Sequence, residues 1–438
     1  MSGADPTMKL AANHSNLAKV HTGEGSIWDT RGFQTTNIFA VDDTFSSKPT
    51  GQPATFGGRD RFRLRKRGGR VYKTWMKVTF SAGVLVGGVR AAYADDLGQL
   101  LLANVRAEYA SKEIQNYNGE VVKAYKRLLE HDITKEAYNA TNLAGLPPGG
   151  IFEARREAAV TAGDIVYPEL EWLFFTKFED YALTPEALSS EMEIVIDYRS
   201  LPELVYARNA AGAVPAAGAV WTTAPAITES LLFTQLIHAP GPEKERHLRR
   251  FDSPKGLLYK ILDIEQQVRQ SIAAAAGVYS IKLDNMRLDS QFIMFYVRRA
   301  TIDTPYYLDR MQSDSTTTSL PSVAGTADTS ALLPVTSFRL IANGKVILDP
   351  VTDIENRAVH RKTYFPGSQI AEPIYFIPFG MMLRDARNVC SFQNLANLGT
   401  LELELTMPAS TDARYLDAYN ICHNDVQMKQ GDIIRLVR

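Results

Sequence analysis

One series of strand patterns occurs twice along the chain, in the same order. A hairpin signal is followed by a short aromatic strand and then by a strand of cleanly alternating apolar and polar residues. The two copies are separated by roughly 200–230 residues, a spacing typical of a duplicated domain. The paired segments are 105–114 and 338–347, 172–178 and 375–379, and 192–198 and 401–407.

Most other segments also favour an all-β chain. Asn343-Gly344 joins two alternating runs, which is the strongest short-range hairpin signal. Residues 119–131 carry apolar side chains at helical spacing and predict one short amphipathic helix. No regular alternation of helices and strands is present, which argues against parallel α/β enzyme folds. We therefore predict two tandem antiparallel β-domains.

Composition shifts suggest where these domains begin and end. Residues 1–57 are rich in small polar residues and are predicted to form an arm with loops, and 58–205 would be the first domain. The Ala/Gly/Pro-rich segment 206–226 is the predicted linker, and 227–438 would be the second domain. We expect 172–178 to be a buried strand and 243–250 a charged loop. Residues 257–268 fit a helix or a strand, 145–150 a turn or long loop, and the Ser/Thr/Asp-rich stretch 311–330 should be an exposed loop.

Charge and composition narrow the function classes. The 438 residues include 48 Lys and Arg against 49 Asp and Glu, so a basic footprint for nucleic acid over the whole protein is absent. The two cysteines cannot form a disulfide scaffold, and no apolar run approaches the roughly 18 residues of a membrane span. The polar N-terminus does not resemble a signal peptide. The seven histidines lack metal-ligand spacing, and no catalytic motif is present, so we expect neither an enzyme nor a cofactor.

One local charge feature stands out, and we name it the basic stripe. It consists of Arg59, Arg61, Arg63, Arg65, Lys66, Arg67 and Arg70. One interpretation is a solvated strand edge whose charges deter stray pairing. The other is a surface for an anionic partner, such as nucleic acid, phospholipid headgroups or an acidic neighbouring subunit. Of these partners an acidic protein neighbour is favoured over direct DNA contact. Aromatic residues are scarce in the stripe, which argues against a stacking platform for single-stranded nucleic acid.

Several segments together resemble the major capsid proteins of nucleocytoplasmic large DNA viruses and related double-stranded DNA viruses. In the first half these are Arg65-Lys-Arg-Gly-Gly-Arg-Val71 with the strand to Phe80, Leu97-Gly-Gln-Leu-Leu-Leu-Ala-Asn-Val105 with Gly119-Glu120, and Tyr167-Pro-Glu-Leu-Glu-Trp-Leu-Phe-Phe175 with 183–198. In the second half they are 232–237, Glu245-Arg246 with Phe251, 338–345, and Ile374-Tyr-Phe-Ile-Pro-Phe379. Gly69-Arg70 stands where the family has Gly-Asp, and 387–392 lacks the Pro and Gly of the family's later turn. The chain is thus identified as a divergent relative.

The resemblance implies a double jelly roll, that is, two tandem eight-stranded antiparallel jelly rolls with short helices in the loops. It further implies a homotrimer with a pseudo-hexameric outline that tiles an icosahedral shell. Implied partners are the chain itself, neighbouring trimers, penton and minor capsid proteins and an internal membrane, with no sequence-specific nucleic acid. The implied location is the virion, after assembly in the host cytoplasm. The arm and the basic stripe would lie on the inner side of the shell, and the loops at 134–166 and 311–335 would form its outward tower.

Two alternatives stay open. A capsid-like scaffolding protein, which shapes a viral membrane and is absent from the mature particle, would carry the same sequence patterns. A glycan-binding β-sandwich is less favoured, because it needs convergent carboxylates or aromatic residues and none are evident in the sequence.

Overall fold

The computed structural model describes most of the chain as short strands joined by turns and a few helices. The described residues are 41–51, 55–66, 69–94, 96–129, 141–142, 151–170, 172–174, 183–211, 213–238, 241–253, 256–300, 306, 334–365, 373–380, 383 and 392–436. The strands in chain order are β1 Val41–Ser47, β2 Arg59–Leu64, β3 Arg70–Phe80, β4 Val84–Leu85, β5 Arg90–Tyr93, β6 Leu102–Tyr109, β7 Lys112–Tyr117, β8 Ile165–Val166, β9 Met192–Tyr198, β10 Val205–Arg208, β11 Trp221–Thr223, β12 Ile227–His238, β13 Leu257–Gln266, β14 Gln270–Ile272, β15 Gly277–Lys282, β16 Asp289–Arg299, β17 Ser337–Ala342, β18 Lys345–Thr352, β19 Ile374–Pro378, β20 Gln393–Asn394, β21 Leu401–Met407, β22 Arg414–Lys429 and β23 Asp432–Leu436.

The described helices are short. They are α1 Leu97–Leu100, α2 Gly119–Leu129, α3 Ile151–Ala162, α4 Leu201–Leu204, α5 Gly241–Asp252 and α6 Arg361–Tyr364, with a π-helical stretch at Glu355–His360 and 3-10 turns at Pro185–Ala187, Ala217–Ala219 and Leu395–Leu398. The helix predicted at 119–131 is therefore confirmed as α2.

Two barrels with identical strand order account for the four large sheets. In the first barrel the sheets run β1-β12-β3-β8 and β2-β9-β6-β7. In the second they run β13-β22-β16-β19 and β15-β21-β17-β18, and β14, β20 and β23 add short pairings. Counted along the chain within each barrel, one sheet joins the first, eighth, third and sixth strands. The other sheet joins the second, seventh, fourth and fifth, which is the jelly-roll arrangement.

The sheet pairing corrects the predicted domain boundaries. β12, assigned above to the second domain, pairs along its length with β3, from Ile227↔Phe80 to Ile237↔Arg70, and completes the first barrel. β1, assigned to the arm, pairs with the other edge of β12. The segment 206–226 is therefore a loop between two strands of one barrel, where β10 and β11 pair with β5 and β4. The connection between barrels is instead α5, because the second barrel begins at β13.

Most strands of the repeated series lie where the sequence predicted them. Both hairpins form, β6–β7 and β17–β18, and the Asn343-Gly344 turn has positive φ at both residues, 48° and 74°. The alternating strands are β9 and β21. The first aromatic strand is misplaced, because β8 lies at Ile165–Val166, residues 172–174 form a turn, and 175–178 lie outside the described residues.

Helices also replace two predicted loops. Residues 243–250 belong to α5, where a polar sequence winds into a helix and buries Phe251 at its C-terminal end. Part of the predicted loop 134–166 is α3. Residues 1–40 and 311–333, which include most of the arm and of the second tower loop, lie outside the described residues.

The two apolar cores follow from strand alternation. In the second barrel, residues such as Phe295, Leu340 and Leu403 fill the space between its sheets. A larger core fills the first barrel and continues through its loops onto the outer face of β16 and β22. The sheet that contains β16 and β22 is therefore buried on both faces. A continuous apolar core joins the two barrels.

Candidate assembly surfaces

β2 carries the first part of the basic stripe on the outward face of the first barrel. Arg59, Arg61 and Arg63 are exposed, whereas the alternating Asp60, Phe62 and Leu64 are buried. β2 is an edge strand that pairs with β9, so the three guanidinium groups lie beside the outward side chains of β9.

Carboxylates of the same sheet face pair with these arginines. Arg59 pairs with Asp197, Arg61 lies 3.2 Å from Glu108 and 3.0 Å from Glu193, and Arg63 lies 3.5 Å from Glu193. The other members of this network are Arg106, which contacts Asp197 and Glu108, and Glu191, which contacts Arg63. Four arginines thus meet four carboxylates, and the face is close to neutral.

The side chains of this network also cover an apolar residue. Val195 points outward from the middle of β9 yet has 0% exposed surface. Arg61 and Arg106 lie directly opposite it in register on the two flanking strands. Their aliphatic stems shield Val195 while their charged ends reach the carboxylates. The network therefore contributes to packing as well as to charge balance.

The remaining members of the stripe do not continue this face. The Nζ of Lys66 donates to the Ser189 carbonyl oxygen at 2.7 Å, and the Arg65 guanidinium lies 6.0 Å from the centre of the Phe45 ring. Arg70 is buried in β3, in the opposite sheet. Arg67 lies outside the described residues. The six described members of the stripe thus form no single surface, and for β2 the solvated-edge interpretation fits the geometry better than an anionic partner.

Electrostatics reflect the same pairing. The hydrogen bond that Arg59 donates to Asp197, together with the charge of that carboxylate, raises the pKa of Arg59. The carboxylates that pair with Arg59, Arg61 and Arg63 thus belong to the chain itself. Glu193 and Asp197 alternate with buried residues in β9 as the arginines do in β2, but the sequence does not show that the two strands are neighbours.

Asp60, which lies between two arginines of the stripe, has a structural role that the sequence did not reveal. Its Oδ2 accepts a hydrogen bond from the Tyr198 hydroxyl at 2.9 Å, and that hydroxyl lies 2.7 Å from Oγ of Ser230. Burial and the Asp60 charge raise the pKa of Tyr198 well above its usual value. This buried group links the two sheets of the first barrel.

A second buried polar cluster joins the two barrels. Glu120, in the first turn of α2, accepts hydrogen bonds from Arg199 at 2.9 Å, from the Tyr296 hydroxyl at 2.9 Å and from Arg298 at 3.0 Å. Arg298 also contacts Asp417 at 2.6 Å, and both residues have 0% exposed side chains. Because Arg298 and Asp417 belong to the second barrel, these contacts fix α2 of the first barrel against the sheet of the second.

The C-terminal end of α2 is held in the same way. Arg361, from the second barrel, donates to the backbone carbonyls of Arg127 and Leu128. Carbonyl groups in the last turn of a helix commonly lack intrahelical donors, and a cation at this end also complements the helix dipole. Both ends of α2 are therefore bound by arginines.

In the part of the chain that the structure describes, no group of three or more His, Cys, Asp or Glu side chains is placed to hold a metal ion. Among the described helices, none has the length and apolar character of a membrane span.

Comparison with known proteins returns capsid structures. A chain of the quasi-atomic PBCV-1 virus capsid aligns with a TM-score of 0.66 at 15% identity, covering 94% of this chain and 100% of that one. The Faustovirus major capsid protein aligns with a TM-score of 0.65 at 12% identity, covering 97% of each chain. A chain of the Sputnik virophage structure aligns with a TM-score of 0.60 at 8% identity, covering 91% of this chain and 88% of that one.

No family model matches the sequence, and no curated protein matches it either. The similarity is thus carried by the fold, over nearly the full length of both chains. This chain has the double jelly-roll fold of the PBCV-1 and Faustovirus capsid proteins.

Proposed function

We propose that this chain is a structural major capsid protein whose homotrimers form pseudo-hexameric capsomers in an icosahedral double-stranded DNA virus shell. The observation that carries the proposal is the pair of barrels with identical strand order, which aligns over almost its whole length with chains from three viruses. Three such chains place six similar barrels around one axis, and a hexagonal outline tiles a surface. The role is structural and not enzymatic.

The junction between the barrels supports this role. A capsid subunit that contacts neighbours on several sides requires a fixed arrangement of its two barrels. Here one apolar core runs through both barrels, and Arg298 contacts both Glu120 and Asp417 in the interior. These contacts resist movement of one barrel against the other. Trimer contacts of the obligate kind are expected to bury about 2,000 Å² or more. We place the protein in the virion shell, and we retain penton proteins, minor capsid proteins and an internal membrane as predicted partners.

Size-exclusion chromatography with light scattering tests the proposal. The purified chain should elute with three times the chain mass of 48.6 kDa, and negative-stain images should show particles with a hexagonal outline. A monomer at all concentrations that binds sugars would contradict the proposal and favour the glycan-binding alternative. Detection of the chain in purified mature virions would separate a shell protein from a transient scaffold.

A further inference from the structure

The chain contains two Asn-Gly pairs, Asn118-Gly119 and Asn343-Gly344. In such a pair the backbone nitrogen of the glycine can attack the side-chain amide carbon of the asparagine, because glycine has no side chain to hinder the approach. The attack releases ammonia and destroys the asparagine. Whether a pair reacts depends on how the fold holds its two residues.

The Asn343 side chain is bound to Thr400, the residue that precedes β21. Its Oδ1 accepts a hydrogen bond from the Thr400 backbone N–H at 3.0 Å and another from the Thr400 hydroxyl at 3.2 Å. The Asn343 backbone N–H donates to the Thr400 carbonyl oxygen at 2.9 Å. Because Ala342 and Leu401 are partners in the β17–β21 ladder, these bonds extend that ladder by one residue into the turn.

Gly399 leaves the space for this contact. A Cβ atom on Gly399 would lie 2.3 Å from Oδ1 and 2.6 Å from Nδ2 of Asn343, and the Gly399 φ of 73° also favours glycine. Asn343 and Gly344 are nevertheless exposed, so water reaches the pair. The side-chain amide is thus fixed in position without being shielded from solvent.

The turn keeps the reacting atoms apart. Positive φ at both Asn343 and Gly344 is typical of a type I′ turn. In that conformation Cβ of the first residue and the backbone nitrogen of the second point to nearly opposite sides of the bond between Cα and the carbonyl carbon. The Gly344 nitrogen therefore cannot reach Cγ of Asn343 until the turn rotates, and the hydrogen bonds to Thr400 oppose that rotation.

We propose that Asn343-Gly344 is a deamidation site that the folded hairpin keeps unreactive and that reacts once the β17–β18 turn separates from Thr400. The Gly344 nitrogen then forms a bond to Cγ and gives up its proton, the bond between Cγ and Nδ2 breaks, and ammonia leaves. Water opens the resulting cyclic imide at either of its two carbonyls, which gives aspartate or isoaspartate.

The two products differ in their effect on the hairpin. Aspartate keeps an acceptor oxygen for Thr400. Isoaspartate adds a methylene group to the backbone, which a two-residue turn cannot take up without changing the register of β17 and β18. The reaction therefore marks subunits whose second barrel has opened, and the isoaspartate product prevents the hairpin from closing again.

Asn118 gives a comparison within the same chain. Its Oδ1 accepts a hydrogen bond from the Val121 N–H at 2.8 Å at the start of α2. Gly119 is buried and lies so close to Gln99 that an added Cβ would be 1.8 Å from the Gln99 carbonyl oxygen. Opening of the β17–β18 turn does not release this pair, so Asn118 should react only when the first barrel unfolds.

Peptide mapping by mass spectrometry tests the proposal. The full chain is incubated in mildly alkaline buffer, either folded or unfolded in urea, and the amide and acid forms of the peptides that contain Asn343 and Asn118 are measured over time. In the folded wild type Asn343 should react at least about tenfold more slowly than in urea, because only opened molecules can react. In urea both asparagines should react.

Substitutions around the turn test the role of the contact with Thr400. Gly399→Ala displaces the Asn343 amide and should raise the folded-state rate at Asn343 toward the rate in urea, while Asn118 stays unreactive. The matched control is Gly277→Ala, where an added Cβ would have no neighbour closer than 3.8 Å, and its rates should equal those of the wild type.

Thr400→Val keeps the shape of the side chain and removes only the hydroxyl donor, so it tests the contact if Gly399→Ala does not fold. It should raise the folded-state rate at Asn343. Equal rates at Asn343 in folded and unfolded wild type would overturn the proposal. Absence of reaction in urea, or a folded-state rate that neither substitution changes, would overturn it as well.

Refolding tests the effect of isoaspartate. Chains that have deamidated in urea are refolded and treated with protease, and isoaspartate at position 343 should be concentrated in the protease-sensitive fraction. Asn343→Asp should refold as the wild type does, because its carboxylate can accept the same hydrogen bonds. An equal isoaspartate content in the resistant and sensitive fractions would overturn the proposed effect on the hairpin.

Discussion

Arginines in this chain have two different roles, and which role applies depends on whether the side chain is buried. Arg61 is partly exposed, shares two carboxylates and covers Val195 with its stem. Arg298 is fully buried, and the carboxylates of Glu120 and Asp417 balance its positive charge. Exposed pairs are screened by water and contribute little each, whereas a buried charge without its partner is costly.

Neutralising the exposed network should have a small effect on stability. The triple variant Arg59→Gln/Arg61→Gln/Arg63→Gln should lower the free energy of unfolding by about 1–2 kcal/mol in urea denaturation, because each exposed pair contributes roughly 0.2–1 kcal/mol. The difference from wild type should shrink in about 1 M salt, where charges are screened. Arg249→Gln, at an exposed pair in α5, is the control. Loss of trimers in the triple variant would restore the partner-binding interpretation of the stripe, and normal assembly would assign β2 to folding alone.

Two buried tyrosines make the junction sensitive to alkali. Burial and the nearby Glu120 charge raise the pKa values of Tyr296 and Tyr419 well above their usual value of about 10. Because the folded chain holds these protons more tightly than the unfolded chain, the stabilisation is complete below about pH 10. It is lost as the pH rises through the folded-state pKa values.

Urea denaturation between about pH 8 and pH 11 measures this dependence. The free energy of unfolding of the wild type should fall with increasing slope above about pH 10. Tyr296→Phe should be less stable at neutral pH, because it removes a hydrogen bond to Glu120, and should show a shallower decline in alkali. Tyr167→Phe, at an exposed side chain, is the control. An identical decline in wild type and Tyr296→Phe would contradict the assignment.

At the scale of secondary-structure elements, the contact between the two barrels is formed by α2 and the sheet on which it packs. Arg298→Met should destabilise the protein by about 3–5 kcal/mol, because it leaves Glu120 and Asp417 buried without their shared cation. The contrasting variant is Arg339→Met, which removes the more exposed Arg339–Glu404 pair on the outward face of the second barrel. Its free energy of unfolding should remain close to that of the wild type. Chemical denaturation of both variants checks the contrast. Equal effects would mean that burial does not decide the value of these pairs.

Elements with one buried face were the ones that the sequence predicted well. β9 and β21 alternate because one side faces a core and the other faces solvent. β22 was missed, although it is the longest described strand, because nearly all of its residues are buried on both sides. Its polar residues are satisfied by neighbours distant in sequence: Asn420 donates to Glu265, and Asp417 contacts Arg269 and Arg298. Local alternation carries no signal for such a strand.

The candidate site was only partly predictable for a related reason. The regular spacing of Arg59, Arg61 and Arg63 fits their shared outward face on β2, whereas Arg65, which continues the same spacing, lies against the Phe45 ring. Sequence could not show that β9 would bring Glu193 and Asp197 beside them, because register between distant strands is set by the whole barrel. β12 was assigned to the wrong domain for the same reason, because its pairing with β3 is not visible in the sequence.

At the scale of the whole molecule, the corrected boundary can be tested by splitting the chain. Co-expressed fragments 1–239 and 240–438 each keep a full set of eight barrel strands, so they should co-purify and give the circular dichroism spectrum of the intact chain. Fragments split at 216 separate β12 from the barrel it completes, and the N-terminal fragment should be insoluble. Equal recovery from both splits would contradict the assignment of β12 to the first barrel.

The pairing of β1 with β12, from Val41↔His238 to Ser47↔Leu232, also governs the order in which the molecule can be built. During synthesis β1 has no partner until the ribosome has made the chain as far as Leu232–His238 of β12. Such non-local pairings slow folding and leave an unfinished sheet able to aggregate. The yield of native subunits is thus expected to depend on translation speed and chaperone supply more than on the stability of the finished fold.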